Sequence, residues 1–137
     1  MVMEKPKADE QAVWRMFATF GDGDRWVYPI FAIPQEINFS KGDGLLLWAR
    51  CIGDAKPSLM LYDGGSGYMV APAINNDGDW HVVKLPFERF VHTGATAPDL
   101  NGKLDLDQVR KFSFGANCHG ANCVLELKKV ALYAEPR

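Results

Sequence analysis

Between positions 45 and 52 the chain reads Leu-Leu-Leu-Trp-Ala-Arg-Cys-Ile. A period of two puts Leu45, Leu47, Ala49 and Cys51 on one side of a strand and Leu46, Trp48, Arg50 and Ile52 on the other. The first set is core material and the second is mixed. The same alternation recurs along the chain. Leu59 and Leu61 oppose Met60 and Tyr62, Phe112 and Phe114 flank Ser113, and Leu125 and Leu127 oppose Val124, Glu126 and Lys128. The pattern predicts strands over 13–20, 26–33, 45–52, 58–62, 67–74, 80–85, 111–115 and 124–133. Turn signals separate them: Gly21-Asp22-Gly23-Asp24, Lys41-Gly42-Asp43-Gly44, Asp63-Gly64-Gly65, Asn75-Asn76-Asp77-Gly78 and Asn101-Gly102. No long segment keeps a 3.6-residue period. Short strands at this spacing define an all-β sandwich or barrel.

Two segments leave the alternation. Pro86-Phe87-Glu88-Arg89-Phe90 should depart from its sheet, because proline removes a ladder donor, and Phe87 and Phe90 then cap one end of the core. Asp105-Leu106-Asp107-Gln108-Val109 reads as one helical turn, with Asp105 at the N-cap and Leu106 and Val109 as anchors. Residues 1–12 read as a leader or linker and 13–137 as one module, with Glu135-Pro136-Arg137 at its edge.

Composition narrows the function. The 137 residues are the size of one domain, and 47% hydrophobic residues suffice for a core. Fifteen basic against seventeen acidic residues leave a net charge of -2, which argues against a nucleic-acid partner. No apolar run reaches the roughly 20 residues of a membrane span, so no membrane partner is expected. Met1-Val2-Met3-Glu4-Lys5-Pro6-Lys7 has no signal-peptide core, so an exported parent protein would carry this chain as a module.

Cys118 and Cys123 bracket His119-Gly120-Ala121-Asn122, a stretch that reads as a tight loop between strands. A disulfide there would staple a hairpin, contribute about 2 kcal/mol and point to an oxidising compartment. Two free thiols are the alternative. A zinc site lacks two ligands and crowds His119. Cys51 falls on the core side of its strand and reads as a buried thiol.

Catalytic motifs are lacking. The segment from Asp99 to Asp105 looks like part of a calcium loop, but Leu104 stands where an EF-hand needs glycine and Arg110 where it needs an acid. Asp22 and Asp24 are weak metal candidates, with ordinary turn chemistry as the plainer reading. His81, His92 and His119 show no ligand spacing, and there is no nucleophile elbow, phosphate loop or dinucleotide fingerprint. A carboxylate pair for glycoside hydrolysis would need a pocket that a small sandwich does not obviously offer.

The aromatic residues carry the functional signal. Trp26, Tyr28, Trp48, Tyr62, Tyr68 and Trp80 lie on or beside strands. A flat ring covers the C–H face of a pyranose, while Arg, Asp, Asn or Gln reach its hydroxyls. Each aromatic contact contributes roughly 1.5–3 kcal/mol. Two or three, less the cost of ordering the glycan, give a dissociation constant of about 10⁻⁴–10⁻⁵ M. The expected ligand-binding set is Trp48, Arg50, Tyr62, Tyr68, Trp26 and Tyr28, in which Trp48 and Arg50 form the leading pair, with Arg50 placed for hydroxyl or uronate contacts. Tyr62 joins them if its strand lies alongside. Trp14 and Trp80 read as core.

The order Phe39-Ser40-Lys41-Gly42-Asp43-Gly44-Leu45, Gly67-Tyr68, Asp79-Trp80-His81-Val82-Val83-Lys84-Leu85-Pro86-Phe87, Asn101-Gly102-Lys103-Leu104-Asp105-Leu106, Phe112-Ser113-Phe114-Gly115 and Leu125-Glu126-Leu127 has a counterpart. It resembles the galactose-binding-like jelly-roll modules, particularly carbohydrate-binding modules of the family 11 type. The resemblance covers most of the chain after about Trp14. It implies a β-sandwich jelly roll of two antiparallel sheets, a glycan along a concave face, and no catalysis. The expected partners are a polysaccharide, such as a β-glucan or another plant or algal cell-wall glycan, and a linked glycoside hydrolase. The expected location is extracellular and the expected state monomeric. Many such modules hold a structural calcium with an acid in the last strand; Lys128 and Lys129 stand there instead, and no cofactor is required. The alternatives are a protein-binding jelly roll and a small lyase or hydrolase.

Overall fold

The computed structural model describes the backbone of residues 2–4, 15–19, 26–118 and 123–136, and the side chains within 28–118 and 123–136. In chain order its strands are β1 (Val2–Glu4), β2 (Arg15–Thr19), β3 (Trp26–Val27), β4 (Ile30–Ala32), β5 (Gly44–Ile52), β6 (Ala55–Asp63), β7 (Ser66–Val70), β8 (His81–Pro86), β9 (Val91–His92), β10 (Val109–Cys118) and β11 (Val124–Tyr133). Single 3₁₀ turns occupy Phe39–Lys41, Phe87–Arg89 and Leu106–Gln108, and no α-helix occurs among the described residues.

Two antiparallel sheets form the expected sandwich. One has five strands in the order β1-β2-β11-β5-β8. The other runs β3-β10-β6-β7-β9, with β4 also pairing β10. The core lies between them, and alternation places it correctly. Leu45, Leu47, Ala49 and Cys51 from the five-stranded sheet are sealed from solvent, as are Leu59, Leu61, Phe112 and Phe114 from the other. Phe87 stacks on Phe39 and tilts against Phe90, so the segment after β8 does close one end of the core.

Prolines set strand ends. Pro29, with no N–H to give, separates β3 from β4, and Pro72 follows the end of β7. Pro57 sits inside β6 beyond the end of β7, which stops opposite Leu59; β10 pairs with it, and its carbonyl accepts from the Ala73 N–H at 2.9 Å. Glycines serve two purposes. Gly64 and Gly102 take positive φ in their turns. Gly44 lies so close to β8 that a Cβ would fall 2.4 Å from the Leu85 carbonyl oxygen.

Cys118 and Cys123 are joined by a disulfide. It ties the end of β10 to the start of β11 and so links the two sheets. Cys51 is a buried thiol, and burial pushes its pKa up to about 11.

Some expectations change. Val2–Glu4 pairs with β2, although it fell within the expected leader; three residues are too few to show an alternation. Asp105 stands at the cap position of its turn but makes no capping bond, because its Oδ2 accepts from Asn101. Trp80, read as core, is 39% exposed just before β8. Trp14, Asp22, Asp24 and His119 lie outside the described residues.

Candidate functional site

Each sheet turns an outer face to solvent, and the two are furnished differently. On the six-stranded sheet, β6 directs Lys56, Ser58, Met60 and Tyr62 outward because Pro57, Leu59 and Leu61 are buried on its other side. On β10, Lys111, Ser113, Gly115 and Asn117 oppose Phe112, Phe114 and Ala116 in the same way. Register then builds rows across the sheet. Ile30, Ser113, Met60, Met69 and Val91 form one row, and Ala32, Lys111, Tyr62 and Gly67 the next.

The middle of this face is made of small residues beneath two tyrosines. The Tyr62 hydroxyl donates to Ser113 Oγ at 3.2 Å, which lays the ring across the sheet. The Tyr28 hydroxyl donates to Asn117 Oδ1 at 2.8 Å. Burial raises the Tyr28 pKa. Ser58 and Ser113 point outward, yet they are only 3% and 1% exposed. Lys111 Nζ stands 5.3 Å from the Tyr62 ring centroid. The backbone of Trp26 pairs with Asn117 at the edge of the same sheet.

On the five-stranded sheet, Trp48 meets Trp80 edge to face, with centroids 6.4 Å apart and planes at 75°. Lys128 Nζ lies 4.1 Å from the Trp48 centroid and 5.6 Å from that of Trp80. The Arg50 guanidinium stands 4.9 Å from the Trp80 centroid and pairs with Glu126. A shift of register between Leu127 and Lys129 in β11 accompanies this placement of Lys128. Nearby, Asp77 is held below the usual carboxylate range by its hydrogen bond with His81, 2.7 Å away, and by the Asp79 N–H.

The structure therefore divides the expected site. Trp48 and Arg50 share a face, as their spacing requires, but Tyr62 and Tyr28 are on the opposite sheet. Tyr62 does not lie alongside Trp48, because β6 pairs with β10 and β7 while β5 pairs with β11 and β8. Tyr68 leaves the expected set. It is 5% exposed and opposite Leu61, with its hydroxyl donated to Asp99 Oδ2 at 2.5 Å. Burial, then that bond and the nearby carboxylates, push its pKa up to about 12. Sequence reasoning missed Trp80 and Lys128. The available signal was their outward phase: Trp80 is two residues before Val82, and Lys128 is two after Glu126. Among the described residues, no group of three His, Cys, Asp or Glu side chains could hold a metal ion.

This architecture is an antiparallel β-sandwich of the jelly-roll kind. Two solved structures share its fold. One is a family 11 carbohydrate-binding module from Clostridium thermocellum in complex with a β-1,3-1,4-mixed-linked tetrasaccharide. It has a TM-score of 0.71 and 15% identity, over 99% of this chain and 85% of that one. The other is a family 11 module of a cellulosomal cellulase from the same organism, with a TM-score of 0.70 and 14% identity over 99% and 84%. At such identity the likeness is one of fold. No family model and no curated protein matches the chain.

Proposed function

We propose that the chain is a non-catalytic carbohydrate-binding module that holds a polysaccharide across the outer face of the six-stranded sheet. One observation carries the choice of face: Tyr28 and Tyr62 lie on it above a floor of small residues, with their hydroxyls tied down. Fixing a ring before the ligand arrives lowers the entropy cost of binding. Trp26 is proposed to extend this row, on the strength of its pairing with Asn117. Trp48 and Arg50 take second place, because Lys128 lies closer to the Trp48 ring, 4.1 Å from its centroid, than Lys111 does to the Tyr62 ring at 5.3 Å.

The fold supports this reading, since one structure that shares it was solved with a mixed-linked tetrasaccharide. A β-glucan or another plant or algal cell-wall glycan is the class proposed. The module would act as a monomer, fused to a glycoside hydrolase that it keeps near substrate. The disulfide supports an extracellular setting. The reading calls for no metal and no catalytic residue.

Affinity electrophoresis against soluble glucans, mannans, xylans and pectins tests the proposal. Retardation by at least one glycan, abolished by Tyr62→Ala with an unchanged melting curve, is the expected result. No retardation by any glycan removes the reading. A second reading, a protein-binding face, rests on Ile52, Trp80 and Val82, which stand exposed on the five-stranded side. Release of reducing ends by the isolated chain would instead make it an enzyme.

A further inference from the structure

The charge on the six-stranded face is one-sided. Lys56 and Lys111 are the ionised side chains at the outward positions of β6, β7 and β10, and no carboxylate stands among those positions. At the β9 edge the face runs into a cavity of about 460 Å³, lined by Lys56, Met69, Ala71, Arg89, Val91 and His92 among others. Its ionisable lining is Lys56, Arg89 and His92, with no acid. Three other cavities each include one. Asp54 lines the cavity beside Pro72, Asp43, Glu88 and Glu135 line the one beside Tyr133, and Glu36 lines the one beside Leu132. Lys56 also borders the cavity that holds Asp54, so the acid-free lining belongs to the side of Lys56 that faces Arg89 and His92.

The groups are disposed to receive an anion. Lys56 and Arg89 are exposed, and neither is in an ion pair among the described residues. The His92 Nε2–H donates to the Ala97 carbonyl, and the ring packs edge-on to Tyr68, which leaves Nδ1 as the ring's other polar atom. Met69 and Val91 supply apolar walls beside the cations. Arginine grips a carboxylate or sulfate through two parallel N–H bonds. Lys56 and Tyr62 lie on the same side of β6, six residues apart, or about 20 Å at strand rise. One extended glycan can reach both.

Resting on the glycan-face reading above, we propose that the ligand is an acidic polysaccharide: a sugar unit stacks at Tyr62, and a carboxylate or sulfate ester on the same chain is held at the cavity by Arg89 and Lys56. The negative group is therefore a determinant of recognition, not a tolerated substituent.

Calorimetric titration of the full chain tests this with three oligosaccharides of equal length: an oligogalacturonate, a sulfated galactan fragment and a neutral mixed-linkage β-glucan. At low salt at least one acidic ligand should bind about tenfold or more tighter than the neutral one, and the advantage should shrink as salt screens it. The acidic ligand that binds tells carboxylate from sulfate. Lys56→Ala with Arg89→Ala should cost that ligand about tenfold or more while leaving the neutral one within about twofold. Both residues are exposed, so the melting temperature should hold. Equal binding of neutral and acidic ligands, or indifference to the double substitution, overturns the inference and leaves the glycan-face reading standing. Binding of single-stranded DNA as tight as that of the acidic glycan also overturns it, since the face would then bind any polyanion. Failure of all three ligands also overturns the inference, and the glycan face itself falls only if no glycan of the electrophoresis panel binds.

Discussion

The two outer faces of the sandwich have much the same inventory, aromatic rings with basic side chains beside them, and use it differently. On the five-stranded sheet the rings of Trp48 and Trp80 meet each other, and Lys128 and Arg50 lie over their faces. Glu126 pairs with Arg50 and completes the set. Each cation–π contact is worth about 0.5–1 kcal/mol at an exposed site. The ring faces are already covered, and a ligand there gains only by displacing what is there. On the six-stranded sheet the tyrosines are fixed through their hydroxyls by Ser113 and Asn117, a single cation, Lys111, stands 5.3 Å from the Tyr62 centroid, and Lys56 has no ion-pair partner among the described residues. The lesson is that counting aromatic residues does not find a site. What matters is whether the faces of the rings are already taken.

Substitutions can break this contrast in order of expected size. The largest effect should fall on both faces at once. Replacing Cys118 and Cys123 by Ser removes the link between β10 and β11, and the loop-closure estimate for so short a ring is about 2 kcal/mol of stability. Urea denaturation should show a lower midpoint at unchanged slope.

Next comes Trp48→Ala. It should lower stability by about 1–2 kcal/mol, through lost packing and a lost cation contact, and leave glycan affinity within about twofold. A large loss of affinity here would reverse the ranking of the faces.

Tyr68 separates inward from outward tyrosines. Its folded pKa, about 12, stands above the ordinary value of 10.0, so the folded state holds the proton more tightly than the unfolded chain. That contribution is complete below pH 10.0 and is lost as pH rises through about 12. The wild-type melting temperature should therefore fall more steeply over that window than that of Tyr68→Phe, which has no phenol there to ionise. The smallest effect should be Lys128→Gln: about 0.5–1 kcal/mol of stability, and a shift in tryptophan emission, as the rings lose their ammonium.

Much of this was legible in the sequence, and the limit is physical. Alternation reports which side of a strand is apolar, so Leu45, Leu47, Leu59, Leu61, Phe112 and Phe114 all fall in the core as read. It does not report which sheet the strand joins. Trp48 and Tyr62 both point outward, but their strands pair with different neighbours, so the two end on opposite sides of the sandwich. Tyr68 shows a second limit. Its stretch, Gly67-Tyr68-Met69-Val70, has no strong apolar phase, and only pairing with Leu61 turns the ring inward. Lys128 was legible as a departure from a calcium-binding pattern, while its position over two tryptophans depends on the register shift in β11.

The most direct measurement is a glycan titration followed residue by residue through backbone amide NMR shifts, using the tightest-binding oligosaccharide. The shifts should concentrate at Lys56, Ser58, Met60 and Tyr62 on β6 and at Lys111, Ser113 and Asn117 on β10, with Trp48, Arg50 and Val82 unmoved. Shifts gathered on β5 and β8, with β6 and β10 silent, would contradict that expectation.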